Sequence, residues 1–196
     1  DGIPLAIELA AARAGSMPVE AIAQRLDQRF RWLDSKNPGK LPRQRTLHAL
    51  IDWSYDLLDE QEKSLFCRLA VFAGGWTLEA AEAVSEDEDT CADILGRLVD
   101  QSLVVFGDDP AGKRYHMHET IRQFAAVKLT ELGDEVKMGV FQSHSQLYLS
   151  MLEYGEKQLK GIDAALAGAA LRLEIDNIRQ AWHWAVDAAR WEQLRC

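Results

Sequence analysis

Cysteine is scarce in this chain. Cys67, Cys91 and Cys196 are odd in number, far apart and never arranged as CxxC, which excludes a disulfide scaffold and a zinc knuckle and fits a reduced, cytoplasmic protein. Positive charge is also short, with 22 Lys/Arg against 31 Asp/Glu and a net charge of −9. Affinity for nucleic acid comes mainly from cations on phosphates, so this composition argues against it. No apolar run approaches the roughly 18 residues of a membrane span, and no secretory signal pattern opens the chain. The strings G-x-x-x-x-G-K-[ST], G-x-S-x-G, H-E-x-x-H and G-x-G-x-x-G are all missing, so no catalytic residue is assigned and the chain reads as non-enzymatic. What is present is ordinary: 47% hydrophobic and 27% charged over 196 residues, enough to bury a core in one large domain or two to three small ones. The start, Asp1-Gly2-Ile3-Pro4 directly against a helical pattern, reads as the interior of a longer protein.

Charge and periodicity divide the chain at 1–40, 41–132 and 133–196. The middle segment holds nine Lys/Arg against seventeen Asp/Glu, net −8. Before it, Leu5, Leu9 and Ala12 mark a helix over 4–14, and Ile22, Leu26 and Phe30 mark another over 18–30. Ser35–Pro42 reads as a linker, with two Pro, one Gly and one Asn. Then come a stripe from Leu47 to Leu58, a capping box at Asp59 and Glu62, a helix burying Leu65, Phe66 and Leu69 that ends by Gly74-Gly75, and a short helix from Thr77 to Val84. The acidic run Glu86–Asp89 leads to a second capping box at Thr90 and Asp93 and a helix over 91–101. Here the period changes. Ser102–Phe106 and Arg114–Met117 read as strands around turn chemistry at 107–112, and His118–Leu132 is helical again. Helix, helix, helix, hairpin is the order of a winged helix-turn-helix, with 91–101 in the recognition position. After Gly133, Asp134 caps a helix to about Lys160, Gly161 breaks it, and helices over 163–173 and 175–189 follow. The fold class is mainly α: a small helical piece, a winged helix with one hairpin, and a helical bundle or tetratricopeptide-like start.

A winged helix raises DNA binding at once, yet the recognition helix offers only Arg97 among Asp93 and Asp100. The wing tip is Asp108-Asp109, with Lys113 and Arg114 the only compensation, so direct DNA binding is not expected of this region. His116 and His118, two apart on one strand face, lack a third ligand, and no metal site is assigned. His48, His144 and His183 read as surface or packed histidines, and Cys67 as a small buried hydrophobe.

Several strings acquire meaning together: Gly2-Ile3-Pro4-Leu5; Asp52-Trp53-Ser54-Tyr55-Asp56; Val71-Phe72-Ala73-Gly74-Gly75; and Met117-His118-Glu119 before Thr120–Ala125. In this order they resemble the signal-transducing nucleotide-switch ATPases of bacteria, the NB-ARC-like regulators of AfsR and LuxR type. Leu173-Glu174-Ile175-Asp176-Asn177-Ile178-Arg179-Gln180-Ala181 is similar to the family's L-E-x-x-x-N-[LI]-R-x-A string at the entry to its tetratricopeptide-like array. The resemblance implies that Pro4, in the G-L-P-L position, packs near adenine, and that His118, in the M-H-D position, contacts the β-phosphate of ADP. Glu119 stands where the family has Asp, which puts the role of that carboxylate in doubt. It also implies an upstream P-loop domain of the same chain holding ADP or ATP with Mg²⁺, and protein partners or an inducer at the C-terminal helices. The fragment alone would hold no cofactor. The alternatives are a DNA-binding winged-helix regulator and a protein-interaction scaffold indifferent to nucleotide.

Overall fold

The computed structural model describes residues 4–25, 42–109, 112–159 and 164–188. Pro4 opens α1 (Pro4–Ala11), where its missing N–H costs no hydrogen bond. Turns over 12–16 end it, and residues 19–25 are helical again. The rest of the expected 18–30 helix, the linker up to residue 41, Lys160-Gly161 and the end of the 175–189 helix lie outside the described residues.

Pro42 begins α2 (Pro42–Asp56), and α3 (Glu60–Arg68) follows. The expected capping box is formed: Asp59 Oδ1 accepts from Glu62 N at 2.8 Å, and Asp59 N donates to Glu62 Oε2 at 2.9 Å. A 3-10 turn at Leu69–Val71 leads to α4 (Leu78–Val84), capped by Thr77. The next helix, α5 (Glu88–Asp100), starts earlier than the expected Thr90 and Asp93 box would have it. Asp87 is the cap instead, accepting from Asp89 N at 3.1 Å and from the Thr90 hydroxyl at 3.0 Å. With Thr90 used as a donor to Asp87, and Glu88 and Asp89 lying at the positive end of the helix, the acidic run itself initiates α5.

The hairpin is also displaced from its expected place. Leu103 N and Val104 N both donate to Leu98 O, at 3.0 and 3.2 Å, and Ser102 takes a left-handed φ of 56°. The apolar pair Leu103-Val104 therefore closes α5 into the core, and pairing begins later. Strand β1 (Val105–Asp109) runs antiparallel to β2 (Gly112–His116), from Val105 opposite His116 to Asp109 opposite Gly112. Gly107 and Asp108, expected in the turn, are inside the ladder. Trp76 adds a bridge on the far side of β2, exchanging backbone bonds with Tyr115 at 2.9 Å each.

Helix α6 (Glu119–Glu131) returns to the core. Gly133, at φ 107°, turns the chain directly into α7 (Asp134–Leu159), followed by α8 (Ala164–Leu173) and α9 (Ile175–Asp187). Helix α7 packs on α9, α8 and α4. One apolar cluster runs unbroken from Ala6 and Leu9 through Phe66, Phe72, Trp76 and Leu98 to Ala181 and Ala185.

Because Asp59 supplies an orphan-donor partner at the start of α3, Asp59→Ala should cost about 1 kcal/mol, lowering the melting temperature by roughly 2–4 °C. Asp59→Asn, an equally good cap, should leave it near wild type. Thermal unfolding by circular dichroism checks both.

Candidate functional site

The helix-turn-helix is α3, α4 and α5, with β1 and β2 as its wing. Between Glu60 and Glu131 there are seven Lys/Arg and fourteen Asp/Glu, and the seven cations are largely spoken for. Arg68 pairs with Glu86 and also donates to Val84 O. Arg97, the cation of the recognition helix, donates to Glu62 Oε1 at 2.7 Å and lies 3.9 Å from Asp59 Oδ2. Glu62 thus caps α3 and ties α5 to it. Arg122 holds Glu119 through two bonds of 2.8 and 2.9 Å. Lys63 and Lys128 pair with Glu60 and Glu131, and Lys113 lies 5.7 Å above the Phe106 ring. Pairs with both partners in solvent are weak, and a phosphate could compete for them.

Arg114 is different. Expected as a wing cation, it is buried, with its side chain 8% exposed. The alternation of β2 explains the correction: Lys113 is exposed and Arg114 points inward. Its guanidinium pairs with Glu174, itself 7% exposed, just before α9, and donates to Gly75 O at 2.6 Å.

Around that pair lies a polar joint between the winged helix and the helices after it. Asn177 Oδ1 accepts from Ala73 N at 2.9 Å and Gly74 N at 3.3 Å, while its Nδ2 donates to Gly75 O at 2.9 Å and Glu174 Oε2 at 3.1 Å. One turn on, Gln180 Nε2 donates to Val71 O at 2.6 Å. Asn177 and Gln180, with Arg114 from the wing, thus satisfy the backbone of the 71–75 turn, and Glu174 holds Arg114 and Asn177 in place. At Gly75 a Cβ would come within 3.2 Å of Arg114 Nε and Tyr115 O, so glycine lets the two meet. Beside the joint, Phe72 stacks on Trp76 at 5.0 Å and meets His144 and Tyr148 edge-on at 5.4 and 6.3 Å. His144 is fully buried; burial pushes its pKa down to about 4, opposed only by Asn177. Burial and the charge of Glu174 push the Tyr148 phenol up.

The two residues singled out by the resemblance are exposed and lie on separate elements. Pro4 is the first residue of α1. His118 is the N-cap of α6 and makes no side-chain capping bond. Helix α2 touches both α1 and α6. Glu119 begins α6, and its bonds to Arg122 and Gln123 hold its carboxyl below the usual range. His116 is exposed on β2, and among the described residues no group of three or more His, Cys, Asp or Glu is placed to hold a metal ion. Cys67 is buried, its thiol pushed up to about 11 by burial. Sequence periodicity gives no sign of the joint, because its two halves lie about a hundred residues apart. The usable signal is a carboxylate just before α9, Glu174, and an amide within it, Asn177, spaced onto the same side as Ala181 and buried with it.

Three helices, a two-stranded wing and a returning helix define a winged helix-turn-helix domain. Residues 58–130 match the family model described as "Winged helix-turn-helix domain". The chain is 42% identical over 189 residues to a Mycobacterium tuberculosis protein named "Putative HTH-type transcriptional regulator Rv0890c", covering 94% of this chain and 21% of that protein. A Mycobacterium bovis protein named "Putative HTH-type transcriptional regulator Mb0914c" matches to the same extent. A shorter M. tuberculosis protein, "Uncharacterized protein Rv0894", is 43% identical over 140 residues, covering 68% of this chain and 35% of its own length. The chain therefore spans about a fifth of the first two relatives. No solved structure matches it. Among the described residues no helix is long and apolar enough to cross a membrane.

Removing one partner of a buried pair leaves an uncompensated charge, so Glu174→Ala should cost about 3–5 kcal/mol. Replacing both partners, as Arg114→Met with Glu174→Leu, should recover most of that loss. Urea titration of the single and double variants is the measurement.

Proposed function

We propose that this chain is the regulatory segment of a larger bacterial transcriptional regulator of the signal-transducing nucleotide-switch kind, without catalysis of its own. In this reading ADP or ATP with Mg²⁺ is held by a P-loop domain of the same protein. Pro4 packs near the base, and His118 reaches the β-phosphate in the closed, ADP-bound state. The C-terminal helices receive the signal from a protein partner or an inducer. The observation that carries the reading is the inward turn of Arg114: the wing gives its arginine to Glu174 of the following helices, so the winged helix serves here as a packing module. The placement of His118 supports the other half. It is exposed at the positive end of α6, where a phosphate is also favoured.

A second reading, in which this winged helix reads DNA, is favoured by the family match and by the names of the longer relatives. Fluorescence anisotropy on random duplexes separates the two. The packing reading expects no strong binding at physiological salt, since seven cations among fourteen acids release few counterions. Tight binding with a log–log salt slope of several units would favour the second reading.

The nucleotide reading has its own test in the full-length regulator. His118→Ala should remove one charge-assisted hydrogen bond from the closed state, about 1.5–3 kcal/mol, and raise uninduced reporter output roughly tenfold or more. The melting temperature of the present chain should hardly change, because an exposed boundary residue contributes little packing. A silent regulator with a destabilised chain would end the assignment.

A further inference from the structure

The joint contains a titratable group that the proposed function does not use. His144, in the middle of α7, is 0% exposed. Its ring meets Phe72 from the 71–75 turn and Tyr148 from its own helix, and neither ring nitrogen has a hydrogen-bond partner. We propose that His144 makes the joint between the winged helix and α7–α9 an acid-labile latch, closed while the imidazole is neutral and opened when it takes a proton. This does not depend on the nucleotide-switch reading.

The surroundings set the direction. From α9 the joint receives Asn177 and Glu174, and from β2 it receives Arg114. The Glu174 charge is already matched by Arg114, so no spare anion faces a proton on His144. From α4 come buried Ala80, Ala81 and Val84, while Glu79 is exposed and Glu82 half-buried. The 3-10 turn contributes Leu69, Ala70 and Val71, none of them titratable. On α6, Arg122 and Lys128 are paired with Glu119 and Glu131, and Arg172 of α8 is exposed. An imidazolium inside the closed joint is therefore desolvated and uncompensated, whereas in an open joint it meets water. His144 sits at about 4 when docked, against an ordinary 6.5. Its contribution to closure is thus complete above about pH 6.5 and is lost as pH falls toward 4. Linkage makes the open state roughly twentyfold more favoured at pH 5 than at neutral pH, and about two hundredfold at pH 3.5.

The test is an acid titration of the whole chain by near-ultraviolet circular dichroism, which reads packed aromatic rings, Phe72, Trp76 and Tyr148 among them. Far-ultraviolet dichroism serves as the helix control. The wild type should lose its near-ultraviolet signal between about pH 6.5 and 4 while keeping its helices. His144→Phe, which cannot be charged, should move that loss at least one pH unit lower. An unshifted transition in His144→Phe, or a wild-type signal unchanged down to pH 4, would overturn the proposal. Proton NMR of the wild-type histidine rings needs no variant: His144 should titrate well below the ordinary imidazole value of about 6.5. A His144 resonance titrating near 6.5 in the intact fold would equally overturn it.

Discussion

The structure turns on the carboxamide of Asn177. The chain leaves the 3-10 turn at Val71 in extended conformation and must cross to Trp76 before α4 can begin. Its backbone N–H and C=O groups at 73–75 have no ladder of their own. Unpaired buried backbone groups are costly. An amide side chain carries donor and acceptor on one rigid plane, so one residue serves both needs, which a carboxylate or a hydroxyl could do less well. Because Trp76 also pairs with Tyr115, this turn is where the helix-turn-helix, the wing and α9 meet. The apolar stack of Phe72, Trp76 and Tyr148 supplies non-directional attraction at the same place. The polar clamp fixes the register in which that attraction is realised.

Charge has two explanations here that a count alone confuses. The run Glu86–Asp89 looks like a barrier to a phosphate backbone, yet Asp87 caps α5, and Glu88 and Asp89 occupy its first turn, where negative charge stabilises a helix. Glu62 likewise closes the α3 capping box and holds Arg97. Part of the acidity around the recognition helix therefore has a local structural cause. Arg114 weighs more, because a buried guanidinium paired with a buried carboxylate cannot be lent to a phosphate without opening the joint, whereas pairs with an exposed partner can exchange at less cost.

The helices were legible wherever an apolar stripe and a cap agreed. Leu50, Ile51 and Leu58, the Asp59 and Glu62 box, and Ile121, Phe124, Ala125 and Leu129 on α6 fall as periodicity demands, whereas Leu57, inside the expected stripe, is exposed past the end of α2. The misreadings share a cause, which is tertiary demand on residues with two local options. Thr90 could cap or donate, and Asp87 took the cap. Ser102–Phe106 has strand composition, but Leu103 and Val104 are core anchors at the end of α5, so pairing slid to Val105. Arg114 has the composition of a wing cation and the strand parity of a core residue, and parity decided. The string from Leu173 to Ala181 was visible as a resemblance, but the physical work of Glu174, Asn177 and Gln180 was not. Nothing local to α9 indicates that a turn about a hundred residues earlier lacks hydrogen-bond partners.

His144 shows why such a joint is conditional. A phenylalanine there would satisfy the aromatic stack at any pH, and a histidine hydrogen-bonded at both nitrogens would be a fixed strut. An imidazole enclosed by Phe72 and Tyr148, with Asn177 nearby and neither ring nitrogen hydrogen-bonded, is neither. It packs as a ring while neutral and becomes an unmatched charge when protonated. Asn177 faces both this ring and the 73–75 backbone, so a change on one side is felt by the hydrogen bonds on the other. Arg114 and Glu174 already neutralise each other, and any relaxation that offered Glu174 to His144 would strand Arg114. A buried polar network with no spare partner has few intermediate arrangements, and this one closes or opens as a unit.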